Sequence, residues 1–295
     1  MKRGVLIYNP KAGQRDRRVA MSALIDRMRG EGLDLVNAPT SGPGHATEMA
    51  RSFAARGAEV VAVCGGDGTI SEAACGLAGT SVPIGILPGG TSNVLARELG
   101  IPLDLEGASA LLTAGAPRTL RLISANGRPF LLWAGVGFDA RIMQNGWPFW
   151  KRQFGRAGIF ATGVAAAYAR YEFPRLEATI DGTSYGATFA VVCHARHYAG
   201  DWIIAPEASV ESETMDVMLF SGTNRRQLFG FFRQLRRGGG GHLRRKDVRI
   251  VRGKDVSIRS LERYAVETHA DGDTILETPL VCRAMSETVS ILTPA

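Results

Sequence analysis

An apolar run in the first third of the chain leads directly into a glycine-rich acidic turn. Residues 60–64 are Val-Val-Ala-Val-Cys, and the residues that follow are Gly65, Gly66, Asp67, Gly68 and Thr69. Glycine tolerates positive φ and lets main-chain N–H groups approach a ligand closely, which favours a phosphate site. A carboxylate in such a turn would repel phosphate unless it holds a cation or a hydroxyl. The turn therefore predicts a site for a nucleotide together with a metal ion.

Two further glycine-containing loops follow apolar runs and carry side chains that can contact the same ligand. The first contains Asn9, Pro10, Lys11 and Gly13, and the second is Pro88-Gly89-Gly90-Thr91-Ser92-Asn93. The sequence has no Walker loop, so phosphate binding must rest on the glycine turns. Thr91 and Asn93 can hydrogen-bond to a nucleotide, although Ser92 and Asn93 could instead cap the helix predicted after them.

The elements that must position these loops alternate between strand and helix over the first 115 or so residues. Apolar runs predict strands at 5–8, 33–36, 60–64 and 83–87, and apolar residues at helical spacing predict helices between them. This alternation is typical of an α/β domain with a parallel sheet. Ligands of such sheets lie beyond the carboxyl ends of the strands, so Gly13, Asp67 and Thr91 should meet at one edge.

After Pro117 the pattern changes to short apolar runs separated by Gly, Asn and Asp turns, which favours a mostly antiparallel second domain. We predict strands at 120–123, 130–134, 176–180, 188–193, 216–220, 248–251, 255–258 and 274–276. Helices are predicted over about 155–171 and 226–237. The domains are predicted to span 1–118 and 119–295.

The ordered set of motifs resembles the diacylglycerol kinase catalytic domain family, which includes bacterial lipid kinases and sphingosine kinases. The matching segments are 5–13, 40–46, 65–69, 88–93, 135–140 and 271–273. The Gly-Gly-Asp-Gly-Thr string alone is less specific, because NAD kinases and phosphofructokinases carry similar strings. The resemblance implies a Rossmann-like three-layer α/β domain followed by a β-sandwich domain. It leaves open that the last strand, at about 288–292, returns to the first domain.

The resemblance implies a kinase that transfers the γ-phosphate of ATP, with Mg²⁺, to the hydroxyl of a lipid such as diacylglycerol or a sphingoid base. It also implies that Thr40, Ser71 and Thr91 lie near ATP. Ser71 stands where the family commonly has asparagine. A hydroxyl can replace one hydrogen bond of the missing amide.

A phosphoryl acceptor hydroxyl needs a general base, and Asp271-Gly272-Asp273 supplies two candidate acids. The same tripeptide also fits a hairpin turn between two strands. By resemblance Asp273 stands at the proton-acceptor position, but the family usually has glutamate there. The shorter side chain makes Asp271 a second candidate, and Asp67 a third if neither acts.

The resemblance also implies a magnesium site that shapes the second domain. Asp216 is its acid, with Glu213 and the carbonyl of Met218 as neighbours. Asp139, in the Gly-Phe-Asp motif, completes the acidic set or is a turn residue.

The net charge of +7 and the pI near 9.5 favour acidic partners. Basic residues concentrate at 15–18, 151–156 and 225–246, with no nucleic-acid signature, so we expect no nucleic-acid partner. Aromatic residues lie beside cations at 147–152, which include Trp147 and Trp150, and at Phe229, Phe231 and Phe232. These clusters would contact an anionic membrane or pack in a core.

No apolar stretch of eighteen or more residues is free of charge, and the N-terminus has no cleavable apolar region. We therefore expect a cytoplasmic protein that associates peripherally with membranes. A homodimer is left open.

Two alternatives have different sequence signatures. An NAD kinase-like phosphotransferase should show an Asn-Glu pair soon after the second glycine loop, where this chain has Val94-Leu95-Ala96-Arg97. A non-catalytic nucleotide- and membrane-binding module should have lost acids that this chain retains.

Overall fold

The structure, a computed structural model, describes residues 1–10, 18–145 and 167–295, with the backbone alone at 18, 143–145 and 273–276. Several sequence predictions fall outside the described residues: Lys11, Gly13, most of the basic run at 15–18, the aromatic and basic segment 147–156, and most of the helix predicted over 155–171. Residues 167–170 are helical.

The chain divides into two compact units. The first comprises Met1–Leu122, Ala199–Asp201 and Ser286–Ala295, and the second comprises Ile123–Tyr198 and Trp202–Met285. Helices in the described part of the chain lack the length and the apolar run that crossing a bilayer requires.

The first unit contains a parallel sheet with helices between its strands. The strands are β1 (Lys2–Tyr8), β2 (Leu33–Pro39), β3 (Val60–Gly65) and β4 (Ile84–Pro88), in the order β2-β1-β3-β4. The helices are α1 (Arg18–Gly30), α2 (His45–Ala55), α3 (Asp67–Leu77), α4 (Val94–Glu98) and α5 (Leu105–Ala114). Residues 4–8 and 60–65 are buried throughout, as expected for strands covered on both faces.

The second unit consists mainly of antiparallel strands. The remaining strands of the chain are β5 (Ala116–Ala125), β6 (Arg128–Phe130), β7 (Trp133–Val136), β8 (Leu176–Ile180), β9 (Thr183–Ala187), β10 (Phe189–Cys193), β11 (His197–Tyr198), β12 (Trp202–Ile203), β13 (Met215–Phe220), β14 (Val248–Gly253), β15 (Asp255–Ser260), β16 (Glu267–Ala270), β17 (Asp273–Glu277) and β18 (Leu280–Thr293). Helix α6 spans Phe138–Asn145, and helix α7 spans Arg225–Arg237 and is followed by a 3₁₀ helix at Gly241–Arg244.

Two antiparallel sheets of the second unit share one hydrophobic core. One sheet has the order β14-β13-β10-β7-β16-β17. In the other, the first part of β18 pairs with β15, β15 pairs with β8, and β8 pairs with β9. Val192 and Val217 from the first sheet and Ala178 and Ile258 from the second belong to the same buried cluster. The prediction of a parallel-sheet α/β domain followed by an antiparallel β-sandwich is confirmed. The end of β18 lies parallel to β4, with Ile291 opposite Ile84.

Several boundaries differ from the sequence prediction. Helix α3 begins at Asp67, so Gly68 and Thr69 belong to its first turn and not to a loop. Helix α5, which we did not predict, begins after Asp104, whose side chain accepts the Gly107 N–H at 2.7 Å. The strand predicted over 130–134 is two strands. The N–H groups of Leu131 and Leu132, between β6 and β7, donate to the Asp271 carboxylate.

Candidate active site

Backbone hydrogen bonds connect the carboxyl ends of the parallel strands. The N–H of Thr40, after β2, donates to Tyr8 O at 2.8 Å, and the N–H of Gly89, after β4, donates to Gly65 O at 2.8 Å. The N–H of Asn9, after β1, is 3.4 Å from Cys64 O. The described parts of the predicted nucleotide loops therefore lie along one edge of the sheet.

Three glycines of the two central turns, Gly65, Gly66 and Gly90, permit close packing. Gly66 has φ of −89°, and neither Gly65 nor Gly68 has positive φ, so the positive φ that we predicted for these glycines is wrong. A Cβ on Gly66 would lie 3.3 Å from Gly90 Cα, and a Cβ on Gly90 would collide with Gly66 Cα. A Cβ on Gly65 would lie 2.7 Å from Thr69 Cβ. The 65–69 and 88–93 turns thus approach each other at a distance that only glycine permits.

Side-chain hydrogen bonds connect the 65–69 turn to α4 and also form within the 88–93 turn. Asp67 Oδ1 accepts the N–H of Leu95, in the first turn of α4, at 3.0 Å. Asn93 has φ of 46° and is the N-cap residue of α4, but its Oδ1 accepts the Gly90 N–H at 2.8 Å instead of capping the helix. The Asp67 carboxylate therefore has a backbone donor in addition to any role with a cation, which the sequence did not indicate.

The start of α3 presents main-chain donors at this edge. The first N–H groups of an α-helix have no intrahelical partner. Residues 66–69 are partly exposed, and nothing lies within 4 Å of the position of a Cβ on Gly68. The side chain of Thr91 is exposed, whereas Thr40 and Ser71 are partly exposed. This edge has the donors and the open space that an anionic group requires.

Glu72 joins α3 to the preceding helix, a role that we did not predict. Its Oε2 accepts the Ala46 N–H at 3.2 Å, in the first turn of α2, and its main-chain oxygen accepts the Thr47 hydroxyl at 2.8 Å. The motif at 40–46 is therefore tied to the helix that begins at Asp67.

In the second unit, Asp271 and Gly272 form the two-residue turn between β16 and β17. Ala270 pairs with Asp273, and the φ values of Asp271 and Gly272 are 48° and 91°. Positive φ at both positions is typical of a type I′ hairpin turn. The hairpin interpretation of this tripeptide is confirmed.

The Asp271 carboxylate accepts main-chain N–H groups from the two residues between β6 and β7 and from the first residue of β7. Oδ2 accepts the Leu131 N–H at 2.8 Å, and Oδ1 accepts the N–H groups of Leu132 at 2.9 Å and Trp133 at 3.2 Å. The Asp271 N–H donates in turn to Trp133 O at 2.9 Å. These three bonds occupy lone pairs of the carboxylate. Asp271 is thus engaged as an anchor for this segment.

A buried histidine and aspartate lie next to this turn, and we did not predict the histidine. His269 Nε2 is 2.6 Å from Asp139 Oδ2, and the two side chains are 0% and 1% exposed. His269 Nδ1 accepts the Gly272 N–H at 3.3 Å, so Nε2 must carry the proton that is donated to Asp139. The Asp139–His269 pair therefore contacts the backbone of the Asp271–Gly272 turn.

Tyr198 and Gly135 complete this buried group. The Tyr198 hydroxyl donates to Asp139 Oδ1, and burial together with the Asp139 charge raises the pKa of Tyr198 well above its usual value. A Cβ on Gly135 would collide with Asp139 Oδ2 and His269 Nε2. Asp139 is therefore a buried, hydrogen-bonded acid at the start of α6 and not an exposed turn residue.

The acids predicted to bind magnesium in the second unit are paired with cations. Asp216 is 3% exposed, and its two oxygens accept from Arg252 Nε at 2.7 Å and Nη2 at 3.0 Å. These bonds raise the pKa of Arg252. Glu213 Oε2 accepts from Lys254 Nζ at 3.0 Å, and Met218 is an interior residue of β13. Each acid is neutralised by a cation, and no cluster of three or more His, Cys, Asp or Glu was found among the described residues.

Models of two protein families match the chain in order. The diacylglycerol kinase catalytic domain matches residues 3–125, and the YegS C-terminal NAD kinase beta sandwich-like domain matches residues 134–293. A diacylglycerol kinase from Mycobacterium tuberculosis is 28% identical over 301 residues, which cover 98% of this chain and 94% of the relative. A Pseudomonas aeruginosa protein named probable lipid kinase YegS-like is 30% identical over 223 residues, which cover 73% of this chain and 70% of that protein.

Solved structures share the fold. Two crystal structures from Bacillus anthracis str. Sterne each match 99% of this chain and 97% of their own, with TM-scores of 0.80 and 0.74 and identities of 25% and 24%. The second of them is named a diacylglycerol kinase. Since the two family models span nearly the whole chain in order, the chain belongs to the diacylglycerol kinase family, with YegS-like lipid kinases among its relatives.

Proposed function

We propose that the protein is an ATP-dependent lipid kinase that transfers the γ-phosphate of ATP to the hydroxyl of a lipid such as diacylglycerol or a sphingoid base. The observation that carries the proposal is the contact between the 65–69 and 88–93 turns at one edge of the parallel sheet. This contact leaves the first N–H groups of α3 beside open space. Family membership supplies the reaction class.

The first unit is assigned to the nucleotide. Main-chain N–H groups at the start of α3 would bind phosphate oxygens, because unpaired donors and the helix dipole both favour negative charge there. Hydroxyl and amide groups along the same edge would orient the rest of the nucleotide. The residues assigned to this role are Asn9, Pro10, Lys11, Gly13, Thr40, Gly65, Gly66, Asp67, Gly68, Thr69, Ser71, Thr91 and Asn93.

Mg²⁺ is assigned to the nucleotide and not to a resident site in the second unit. Mg²⁺ bound to phosphate oxygens and water would offset the triphosphate charge during transfer. Asp67 is the carboxylate that we assign to it, since it lies at the sheet edge with one oxygen bonded to Leu95 N–H.

The second unit is assigned to the acceptor, with Asp273 as its general base. Asp273 immediately follows the turn and begins β17. Of the two candidate acids, Asp271 already accepts three main-chain N–H groups, so its lone pairs are less available for a proton from substrate. Asp271, together with the Asp139–His269 pair, would instead hold the backbone from which Asp273 projects.

A lipid acceptor requires the enzyme to work at a bilayer surface. We therefore assign the protein to the cytoplasm, with peripheral contact to anionic membranes, which the chain's net charge of +7 favours.

The test is an acceptor survey with γ-labelled ATP and Mg²⁺. Total lipid extract, NAD and a blank without acceptor are compared, and each labelled product is identified by mass spectrometry. A labelled phospholipid supports the proposal. Labelled NADP identifies an NAD kinase instead, and the absence of transfer to every acceptor by a folded protein contradicts a kinase.

A further inference from the structure

Helix α7 presents a basic face on the side opposite its packed residues. Leu228, Phe231 and Leu235 are buried, and their spacing places them on one side of the helix. The exposed residues of the helix are Arg225, Arg226, Phe229, Arg233, Arg236 and Arg237. Hence the exposed side combines arginines with one aromatic ring.

The segment 225–246, which begins with this helix, has the largest excess of basic residues among the three basic segments of the chain. Residues 225–246 contain eight basic residues and no acidic residue, whereas the whole chain has a net charge of +7. The rest of the chain is therefore close to neutral. A field of this kind attracts an anionic surface in one orientation.

The side chains of four arginines on this face have no hydrogen-bond or ion-pair partner among the described residues: Arg226, Arg233, Arg236 and Arg237. Two neighbouring arginines, in contrast, have side-chain partners within the chain. Arg225 donates to the main-chain oxygens of Tyr168 at 3.1 Å and Ala169 at 2.8 Å, and Arg245 donates to Asp247 at 2.7 Å. The four guanidinium groups are thus placed to bind anions outside the chain.

Phe229 is 59% exposed and lies between Arg226 and Arg233 on the helix surface. Placing a phenylalanine in water loses the stabilisation that burial provides. When an aromatic residue flanked by arginines binds at a membrane interface, the ring lies at the boundary of the acyl chains and the arginines lie at the lipid phosphates.

Helix stability accounts for only part of this pattern. Arg236 and Arg237 occupy the last turn of α7, where cations interact favourably with the helix dipole. That effect does not extend to Arg226 in the first turn or to Phe229. Asn224 caps the helix by accepting the Gln227 N–H at 3.1 Å, so the exposed face is not needed to hold α7 in place.

We propose that the exposed face of α7 docks on the anionic headgroups of a lipid bilayer. This inference rests on the proposed function, because a lipid kinase must meet its acceptor at a bilayer. The arginines bind headgroup phosphates, and Phe229 inserts beside them. Each arginine near an anionic surface contributes about fivefold to vesicle affinity at low salt.

The test is co-sedimentation of the full chain with phosphatidylglycerol/phosphatidylcholine vesicles, without ATP. The triple variant Arg226→Gln, Arg233→Gln, Arg237→Gln should bind on the order of a hundredfold more weakly than wild type at low salt. The control variant Arg51→Gln, Arg128→Gln, Arg263→Gln removes the same charge from exposed positions elsewhere and should stay within about threefold, because screening limits distant charges. Equal losses in both variants, or no loss in the first, would overturn the proposal.

Phe229→Ala provides an independent measurement. At 0.5 M salt, where charge is screened, the substitution should remove most of the binding that remains, because ring insertion does not depend on salt. Unchanged binding by Phe229→Ala under these conditions argues against insertion. Duplex DNA is tested in parallel, and binding to DNA tighter than to vesicles, lost in the α7 triple variant, overturns a bilayer as the partner.

Kinase activity in neutral detergent micelles separates the two proposals. The α7 triple variant should phosphorylate micellar lipid at the wild-type rate and lose activity only on vesicles. If the wild-type protein phosphorylates no lipid in micelles, the proposed function is wrong, whereas vesicle binding still tests the docking face.

Discussion

His269 Nε2 and Asp139 Oδ2 lie 2.6 Å apart in the interior of the second unit, and the other ring nitrogen of His269 accepts the Gly272 N–H. One imidazole therefore joins a buried carboxylate to the turn that precedes Asp273. Because each ring nitrogen has its own partner, substitutions can remove one contact and keep the other. The oxygen of asparagine can take the place of Nδ1, and the amide nitrogen of glutamine can take the place of Nε2.

His269→Gln should keep the donor to Asp139 and lose the acceptor for Gly272. We expect a folded protein with stability near wild type and turnover reduced about tenfold or more, because the base would lose its position. His269→Asn should leave one Asp139 oxygen without its donor and lower the free energy of unfolding by about 1–3 kcal/mol. Urea unfolding and kcat measure the two effects. Equal behaviour of both variants would contradict a role for the turn contact.

Asp271 and Asp273 should respond differently to the same substitution. Asp273→Asn should lower kcat on the order of a hundredfold or more, with nucleotide affinity within a few fold of wild type. Asp271→Asn places an amide against the three main-chain donors, so it should lower the free energy of unfolding by about 1–3 kcal/mol. Turnover near normal in Asp273→Asn would remove Asp273 as the base.

Asp273→Glu tests whether reach limits the reaction. The family's usual glutamate is one methylene longer, so a rise in kcat would show that the aspartate is short of its best position. A fall in kcat would show that this hairpin is adjusted to aspartate.

Gly90→Ala should separate the two glycine turns. Its Cβ would collide with Gly66 Cα, so we expect ATP affinity to fall at least tenfold and the free energy of unfolding to fall by about 1–3 kcal/mol. Gly68→Ala adds a methyl group in open space and should reduce ATP affinity without lowering stability. Gly186→Ala, also in open space but in β9, is the control. Isothermal titration with a non-hydrolysable ATP analogue measures these affinities, and unchanged affinity in both Gly90→Ala and Gly68→Ala would contradict the assigned phosphate site.

Because Arg252 donates to both oxygens of Asp216, we expect the stability of the second unit to be independent of metal. EDTA should leave the Tm of the nucleotide-free protein unchanged. Arg252→Ala should lower the free energy of unfolding by about 1–3 kcal/mol, because the buried Asp216 carboxylate loses its donor. An increase in Tm of several degrees on adding Mg²⁺ without nucleotide would restore the metal site that the family resemblance implied.

Local patterns in the sequence were sufficient for many elements. The α7 helix was predicted to within one residue, since its apolar residues recur at helical spacing, and β8 was predicted with its observed limits. We interpreted residues 65–69 as a turn, whereas α3 begins at Asp67, because Gly68 in its first turn resembles a loop residue. We expected the glycines of these turns to have positive φ, whereas Gly65, Gly66 and Gly90 permit close packing instead.

The contacts that we did not predict join residues far apart in the sequence. His269 contacts Asp139 across 130 positions, and Arg252 contacts Asp216 across 36, so neither pairing has a local signature. The three donors to Asp271 come from a segment that we predicted as continuous strand. The signal that was available was a histidine two residues before Asp271, on the strand that enters the hairpin.

Transfer of label from γ-labelled ATP into an organic-phase product is the most direct test of the lipid kinase assignment. Wild type and Asp273→Asn are compared on diacylglycerol in neutral micelles with Mg²⁺, each checked for folding. We predict steady formation of labelled phosphatidic acid by wild type and a rate on the order of a hundredfold lower for the variant. Absence of an organic-phase product with diacylglycerol and with every other lipid alcohol offered, from a wild-type protein that binds ATP, would contradict the account.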